Sequence, residues 1–329
     1  MPKYKVYVTR KIPGDSLHLL SSIANVEIYA GSGAPSLQTL LDRVQNCHGL
    51  LTMLSDHITS EIIDAAGPNL RIISNYAVGF NNVDVEYATS KSILVSHTPD
   101  VLTDSTADLT WALLLATARR VVESDQLIRT EQWLTWEPDF MLGSDVSHKT
   151  LGIIGLGRIG LAVAKRALGF QMRVLYYSRT RKKDLEQTFN LKYKSIETLL
   201  QESDFISLHV PLTSETKSLI STKEFSLMKP TAILINTARG GIVDENALVE
   251  ALQKSSIKAA GLDVYQNEPT HNKALFHLSN VVLTPHIGSA TTETRLKMAH
   301  LAVNNLLYGL TAKYEQITLV NPSVLRSLP

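Results

Sequence analysis

The stretch that decides the fold is LGIIGLGRIG, residues 151–160. The segment LGII predicts a buried strand, glycines follow it directly at 155, 157 and 160, and Arg158–Leu168 has a helical pattern. Chance would give only ~0.04 such glycine patterns in a shuffled chain with 17 glycines. A strand, a glycine turn and a helix in this order predict the first unit of a doubly wound parallel sheet.

This setting also predicts a ligand. Gly155 allows the tight turn, Gly157 lets the backbone approach a pyrophosphate, and Gly160 lets the helix and strand pack closely. The helix N-terminus, at Arg158 and Ile159, offers N–H donors to phosphate oxygens. We therefore expect a dinucleotide at residues 155–160.

Short apolar runs alternate with helical segments on both sides of this turn. Before it, the predicted strands are Lys5–Thr9, Val26–Tyr29, Gly49–Met53, Arg71–Ser74 and Ile93–Val95. After it, the runs are RVLYYSR, DFISLHV, AILINTA, KAAGLDV and VVLTPH. The alternation predicts an α/β chain with two doubly wound parallel-sheet domains, a smaller flavodoxin-like one and a larger Rossmann domain.

Two long helices set the domain boundaries. One begins at residues 104–106, with Ser105 and Asp108 as a variant capping box, and runs through ADLTWALLLATARR as a buried helix. The other covers about Thr291–Leu307, with Gly309 as its stop. Because it follows the last strand of the second sheet, we expect the chain to return to its first domain. The predicted domains are 1–105 with 290–329, and 106–289.

The segment 123–149 contains Trp133 and Trp136 but no strand signal. It is too apolar for a simple linker. Either it packs on its own subunit or it is an arm that packs on a second copy. Exposed aromatic clusters usually mark contact surfaces, so we favour a homodimer.

Composition excludes several classes of protein. Lys and Arg total 32 against 31 Asp and Glu, so no global field recruits nucleic acid or an acidic membrane. Cys47 is the single cysteine, which excludes an intrachain disulfide and a multi-cysteine metal site, and no metal is expected. The longest strongly apolar helical run, 109–118, is half a membrane span, and no signal-type run follows Met1. We expect a soluble, cytoplasmic protein.

The strand after the glycine turn bears on which dinucleotide binds. An NAD site usually carries Asp or Glu at this strand end, ~20 residues past the glycines, for the ribose hydroxyls. Here the strand ends in Ser178, Arg179 and Thr180, followed by Arg181-Lys182-Lys183, and the first carboxylate is Asp184. Hydroxyls and a guanidinium suit a 2′-phosphate, so NADPH is favoured and NADH stays open.

Three polar residues follow successive late strands. Arg239 follows AILINTA, Glu268 follows GLDVYQN, and His286 ends VVLTPH. Each taken singly is an ordinary surface or loop residue. Together they suit hydride transfer to a ketoacid: Arg239 would pair a substrate carboxylate, His286 would donate a proton, and Glu268 would orient the imidazole and favour its charged form.

Six segments carry a resemblance that spans the chain. They are YAVGFNNVD (76–84), LGIIGLGRIG (151–160), HVPLTSET (209–216), INTARGGIVDENAL (235–248), AAGLDVYQNEP (259–269) and TPHIGSAT (284–291). In order and spacing they resemble the D-isomer-specific 2-hydroxyacid dehydrogenases. Within that family, TPDVLTDSTAD (98–108) and WLTWEP (133–138) are most similar to the glyoxylate/hydroxypyruvate reductases, which favour NADPH.

The resemblance implies further roles. Arg239, Glu268 and His286 would be the catalytic triad. The substrate would also contact Leu54 and the backbone N–H groups of Val78 and Gly79 in the split domain. Cofactor contacts would come from Val210, Pro211 and Thr216 on the adenosine side, and from Thr106, Thr237, Ala238, Arg239, Asp263, His286 and Gly288 at the nicotinamide.

The implied activity is NADPH-dependent reduction of glyoxylate and hydroxypyruvate. Two alternatives stay open, a 2-ketogluconate or broad 2-ketoacid reductase and, in a different class, a dinucleotide-sensing transcriptional corepressor. The corepressor loses weight because such proteins are expected to bind NAD(H) and to carry interaction tails.

Overall fold

The computed structural model describes residues 3–269 and 272–327. Its contacts divide the chain into two compact units, Met1–Leu102 with Ala290–Pro329, and Thr103–Ser289. We call them the split unit and the central unit. Each contains its own parallel sheet, so the predicted fold class is confirmed.

The strands are short, and every pairing between them is parallel. Those of the split unit are β1 (Tyr4–Val8), β2 (Ala24–Ile28), β3 (Gly49–Thr52), β4 (Ile72–Asn75) and β5 (Leu94–Ser96). Those of the central unit are β6 (Thr150–Ile154), β7 (Arg173–Tyr177), β8 (Lys192–Tyr193), β9 (Phe205–Leu208), β10 (Ile233–Asn236), β11 (Ala259–Leu262) and β12 (Val281–Leu283). The two-residue β8 is a strand that the sequence patterns did not indicate.

The helices connect and cover these strands. In chain order they are α1 (Leu37–Arg43), α2 (Ser60–Ala66), α3 (Val85–Ser90), α4 (Thr103–Ala118), α5 (Val121–Arg129), α6 (Arg158–Ala167), α7 (Lys183–Phe189), α8 (Ile196–Glu202), α9 (Thr222–Leu227), α10 (Glu245–Gln253) and α11 (Thr292–Leu310). Short 3₁₀ turns lie at Ser16–Leu20, Leu168–Phe170, Gly240–Ile242, Lys273–His277, Tyr314–Gln316 and Pro322–Arg326.

The sheet of the split unit has the order β2-β1-β3-β4-β5, which is the flavodoxin-like order. Its middle strands are buried on both faces because helices cover both sides. Helix α11 packs on β3 and β4, so the last described part of the chain completes this unit's core.

The sheet of the central unit has the order β12-β11-β10-β9-β6-β7-β8. Strand β6, which carries the glycine turn, lies between β7 and β9, where the strand order reverses. Doubly wound sheets bind their ligands outside the carboxyl ends of the strands at this position. The topology therefore points to the end of β6.

Two local expectations were wrong. Helix α4 begins at Thr103, so Ser105 and Asp108 lie inside it and do not form its N-cap; Asp108 instead accepts a 2.8 Å hydrogen bond from Arg166 of α6. Gly309 lies inside α11, where a Cβ would come within 2.5 Å of Ile72, so this glycine allows helix and sheet to approach closely. Helix α5 also enters the segment 123–149 and ends at Arg129, which the sequence patterns did not indicate.

Among the described residues, none of the helices has both the length and the apolar character that a membrane span needs.

Candidate active site

The glycine turn between β6 and α6 is shaped by contacts that exclude side chains. Gly155 has φ +102°, and a Cβ there would lie 2.6 Å from the carbonyl group of His209. A Cβ on Gly160 would lie 2.1 Å from the carbonyl oxygen of Gly155. A Cβ on Gly157 would meet nothing within 4 Å. Open space over Gly157, at the N-terminus of the ten-residue α6, fits a pyrophosphate.

A cavity of about 360 Å³ lies beside this turn. It is bordered by the segments that follow β6, β7 and β9. The structure brings together here the predicted cofactor residues Gly155, Gly157, Ser178, Arg179, Thr180, Val210, Pro211 and Thr216. The predicted Arg158, Ile159 and Gly160 form the first turn of α6 and are not among the lining residues.

The basic run after β7 divides into two kinds of arginine. Arg181 donates two hydrogen bonds, of 2.8 and 2.7 Å, to Glu186, and these bonds, with one from Tyr176, lower the pKa of Glu186 to about 2. Arg179 is different: its side chain is 85% exposed, and its guanidinium lies 4.0 Å from the Glu215 carboxylate. Of the two guanidinium groups, that of Arg179 is the one that can turn to an incoming anion.

Sequence reasoning missed eight of the residues that line the cavity, and three of these are acidic or basic. Lys182 belongs to the same basic run, which was the available signal. Glu215 lies within HVPLTSET but was not singled out. His209 lies under the glycine turn, where Ser207 Oγ meets its Nε2 at 2.8 Å and burial lowers its pKa to about 3. This imidazole is therefore neutral near pH 7.

The three proposed catalytic residues follow adjacent strands. The register pairs Asn236 of β10 with Leu262 of β11, and Leu262 with Leu283 of β12. Because parallel strands end at the same sheet edge, the segments leading to Arg239, Glu268 and His286 leave that edge side by side.

Glu268 and His286 form a direct pair. Their Oε2 and Nδ1 atoms are 2.6 Å apart, and the other carboxylate oxygen accepts from the Tyr265 N–H at 3.0 Å. Burial alone would raise the pKa of Glu268, but its hydrogen bond to His286 and the positive charge there prevail, so that pKa is lowered. With the carboxylate accepting from Nδ1, Nε2 is the imidazole atom left to act on a substrate.

The segment that carries His286 is fixed by the buried carboxylate of Asp263. His286 has φ +54°, a left-handed backbone unusual for a side chain of this size. Asp263 accepts from Thr284 Oγ1 at 2.7 Å and from the N–H groups of Ile287 and Gly288 at 2.8 Å each. These contacts of the Asp263 carboxylate hold the residues on either side of His286.

Two sets of contacts fix the segment that carries Arg239. The amide of Asn236 donates to the Arg239 carbonyl at 2.9 Å and accepts from the Ala238 N–H at 3.0 Å. A Cβ on Gly240 would lie 1.8 Å from the carbonyl carbon of Tyr265, so only glycine permits this approach to the segment that carries Glu268. Burial lowers the pKa of the Arg239 guanidinium and the charge of Glu268 opposes that shift, but an arginine stays protonated.

The residues predicted for the nicotinamide side lie in this same unit. An added Cβ on Gly288 would be 3.3 Å from Asp263 Oδ2 and 3.5 Å from Thr106 Cγ2, so these three are neighbours. The hydroxyl of Thr237 is 2.8 Å from that of Thr110 on α4. Ala238 lies between Thr237 and Arg239 and is partly buried.

The predicted substrate contacts of the split unit lie in two loops. Leu54 follows β3, and Val78 and Gly79 follow the neighbouring β4; all three are partly exposed. Within residues 3–269 and 272–327, none of their backbone N–H groups has a hydrogen-bond partner. These donors are thus available to an anion.

Across residues 3–269 and 272–327, no three His, Cys, Asp or Glu side chains are grouped so that they could hold a metal ion.

A dinucleotide-binding sheet with a His–Glu pair and an arginine at its strand ends defines a nicotinamide-dependent oxidoreductase. Residues 111–288 match the family model for the D-isomer specific 2-hydroxyacid dehydrogenase NAD binding domain. The chain belongs to this family, which confirms the resemblance.

Full-length relatives show the same similarity. A glyoxylate reductase of Pyrococcus horikoshii is 51% identical over 98% of each chain, and one of Thermococcus litoralis is 50% identical over 99% of each. The crystal structure of an NADPH-dependent glyoxylate/hydroxypyruvate reductase from Sinorhizobium meliloti, in complex with NADP and malonate, is 32% identical with a TM-score of 0.80 and covers 93% of each chain. The chain is thus similar to glyoxylate reductases along nearly its whole length.

Proposed function

We propose that this protein reduces glyoxylate to glycolate and hydroxypyruvate to D-glycerate, and that it uses NADPH in preference to NADH. The observation that carries the proposal is the 2.6 Å pair of Glu268 and His286, on a sheet edge shared with Arg239. The names of the relatives that are about 50% identical support the choice of glyoxylate.

Binding of the substrate would rest on its carboxylate. Arg239 would pair with it through a guanidinium, whose planar donors match a carboxylate. Within the split unit, the open N–H groups of Leu54, Val78 and Gly79 would offer neutral donors to a substrate carboxylate. Such contacts would recognise the carboxylate that all small 2-ketoacids share.

Reduction needs a hydride and a proton. When bound, the dinucleotide supplies the hydride, which goes to the carbonyl carbon of the ketoacid. His286 would donate its Nε2 proton to the carbonyl oxygen, so the product is the 2-hydroxyacid. Glu268 would keep Nδ1 protonated and stabilise the imidazolium before the transfer. Arg239 would also polarise the carbonyl.

The residues present fit a phosphorylated dinucleotide. The glycine turn and α6 would hold the pyrophosphate, and Thr106, Thr237, Ala238, Asp263 and Gly288 would hold the nicotinamide. Ser178, Arg179 and Thr180 would take a 2′-phosphate, since the cavity lining after β7 offers hydroxyls and a guanidinium where an NAD site offers an acid.

A homodimer is part of the proposal. Trp133, Leu134, Trp136 and Leu142 are 51, 93, 73 and 62% exposed, which is unusual for one short segment. The adjoining α5 exposes Val121, Val122 and Ile128 as well. A second copy with two-fold symmetry would cover them. Light scattering on the purified chain tests this, and a mass near the 36.3 kDa monomer at micromolar concentration would refute it.

The activity is tested by following the absorbance of NADPH and of NADH with four ketoacids in separate reactions. We expect glyoxylate and hydroxypyruvate to be reduced with higher kcat/KM than pyruvate or 2-ketogluconate, and NADPH to be used with a lower KM than NADH. Turnover confined to 2-ketogluconate would contradict the substrate assignment. Tight dinucleotide binding without turnover of any ketoacid would contradict the enzyme assignment.

A further inference from the structure

The split unit contains a buried polar network between the two loops with open N–H groups. We define the Leu54 loop as residues 53–56 and the Val78 loop as residues 76–80. They leave neighbouring strands, because Thr52 of β3 is in register with Asn75 of β4. Side chains of Asp56, Asn75 and Asn82 connect them, and these are 2, 0 and 7% exposed.

Asp56 closes the Leu54 loop on itself. Its Oδ2 accepts from the Met53 N–H at 2.7 Å and from the Thr9 hydroxyl at 2.5 Å, and its Oδ1 accepts from Arg10 at 2.9 Å. Arg10 also donates to Ser55 Oγ at 2.9 Å. These bonds hold the residues on both sides of Leu54, whereas the Leu54 N–H itself has no hydrogen-bond partner within the described chain.

Asn82 joins the Leu54 loop to the second loop. Its amide nitrogen donates to the carbonyls of Met53 and Asp56, each at 3.0 Å, so it spans the turn from both ends. It also forms a reciprocal amide pair with Asn75, at 3.1 and 3.2 Å. Asn75 in turn donates to the Gly79 carbonyl at 2.9 Å.

The Val78 loop has a second tether. His97 Nδ1 lies 2.8 Å from the Val78 carbonyl oxygen. The carbonyls of Val78 and Gly79 are thus both occupied by side chains of the split unit. Because the peptide unit is planar, the bond at the Val78 carbonyl fixes the Gly79 N–H, and the bond of Asn82 to the Met53 carbonyl fixes the Leu54 N–H. The Val78 N–H is fixed in the same way, since the Ala77 carbonyl accepts from the Thr98 N–H at 2.8 Å.

We propose that Asn82, with Asp56 and Asn75, is a positioning residue for substrate binding: the network sets the backbone N–H groups of Leu54, Val78 and Gly79 in the orientation that receives the ketoacid carboxylate. The inference rests on the proposed function, because it needs a carboxylate substrate. A fully bonded buried network is rigid, and neutral donors bind an anion well only when they are held in advance.

The test compares two equivalent substitutions in the split unit. Asn82→Asp removes the amide donor from the Met53 and Asp56 carbonyls with almost no change of size. Asn321→Asp is the matched control: Asn321 is also buried and cross-linking, with contacts to Thr89, Ile93 and Val95, but it touches neither loop. Both variants lose the same kind of bond from the same core.

We expect Asn82→Asp to raise the KM for glyoxylate and the inhibition constant of oxamate by about tenfold, with the KM for NADPH unchanged. Asn321→Asp should lower the urea midpoint of unfolding about as much as Asn82→Asp does. It should leave the glyoxylate KM within about twofold of the wild-type value. Equal effects of the two variants on the glyoxylate KM would overturn the proposal, because the role would then be structural only.

A milder variant keeps the test decisive if Asn82→Asp does not fold. Arg10→Gln removes the partly exposed partner of Asp56 and Ser55, and should raise the glyoxylate KM by about threefold, with Arg10→Lys falling between it and wild type. No change of that KM in Arg10→Gln would overturn the proposal. Failure of the proposed function would look different, since the wild-type chain itself would then not reduce glyoxylate.

Discussion

Arg179 gives the sharpest test of cofactor choice. Its guanidinium is on the rim of the cavity, is 85% exposed and has Glu215 at 4.0 Å, so Arg179→Ala removes little from the fold. A charged hydrogen bond is worth ~1.5–3 kcal/mol, and high exposure places this one near the lower limit. We therefore expect the KM for NADPH to rise about tenfold and the KM for NADH to change by less than about twofold.

Arg181→Ala is the matched control. It removes the same charge two residues away, but Arg181 is bound by Glu186 through two hydrogen bonds, so a cofactor phosphate gains little from it. The assay measures initial rates of glyoxylate reduction while either cofactor is varied, with the urea midpoint measured for each variant. Equal losses with NADPH and NADH in Arg179→Ala, or equal losses of NADPH affinity in both variants, would refute the assignment of Arg179 to the 2′-phosphate.

The remaining predictions concern the Glu268–His286 pair, Arg239 as the carboxylate anchor, and His209. Glu268→Gln should move the alkaline limb of the reduction rate profile to lower pH, because the imidazolium of His286 loses its anionic partner; an unmoved limb would contradict the pair. His286→Ala should remove most turnover while NADPH binding, followed by fluorescence titration, stays nearly intact. Arg239→Ala should lower kcat and raise the glyoxylate KM strongly, since the carboxylate of the substrate would lose its charged partner. A normal KM would exclude Arg239 as the residue that binds this carboxylate. His209 has a pKa of about 3 in the fold against about 6.5 unfolded, so below about pH 6.5 the unfolded chain binds a proton that the native chain does not, and stability falls as pH falls. Between pH 7 and pH 5, the free energy of unfolding measured in urea should therefore fall by up to about 2 kcal/mol more for the wild type than for His209→Asn. Substitution of the exposed His300 by Asn should not reproduce this difference from the wild type.

The sequence by itself determined the class of fold and the places where polar residues follow strands. Apolar runs of four or five residues that alternate with helical segments are typical of strands covered on both faces of a parallel sheet, so β9, β10 and β11 were predictable from the sequence pattern. Gly155 was equally predictable, because its place directly after a strand has a local steric meaning. The family, too, followed from motif order and spacing.

Helix ends were less predictable, because tertiary contacts override local signals. Gly309 has the weak helix propensity of a stop, yet close packing on Ile72 keeps it inside α11. Ser105 and Asp108 resemble a capping box, but α4 starts earlier, and Arg166 of α6 takes the Asp108 carboxylate.

Only the tertiary structure decided which of several similar side chains are held and which are open. Arg179 and Arg181 are equivalent in the sequence, and it is the position of Glu186 on α7 that occupies one of them. The distance of 2.6 Å between Glu268 and His286 depends on Gly240 meeting Tyr265 and on Asp263 fixing the turn, contacts between residues far apart in the chain. The network of Asp56, Asn75 and Asn82 could not be predicted from the sequence, because an asparagine in a buried network and an asparagine in an exposed loop are the same residue type. Hydrogen bonding and burial distinguish them, and both are properties of the folded chain.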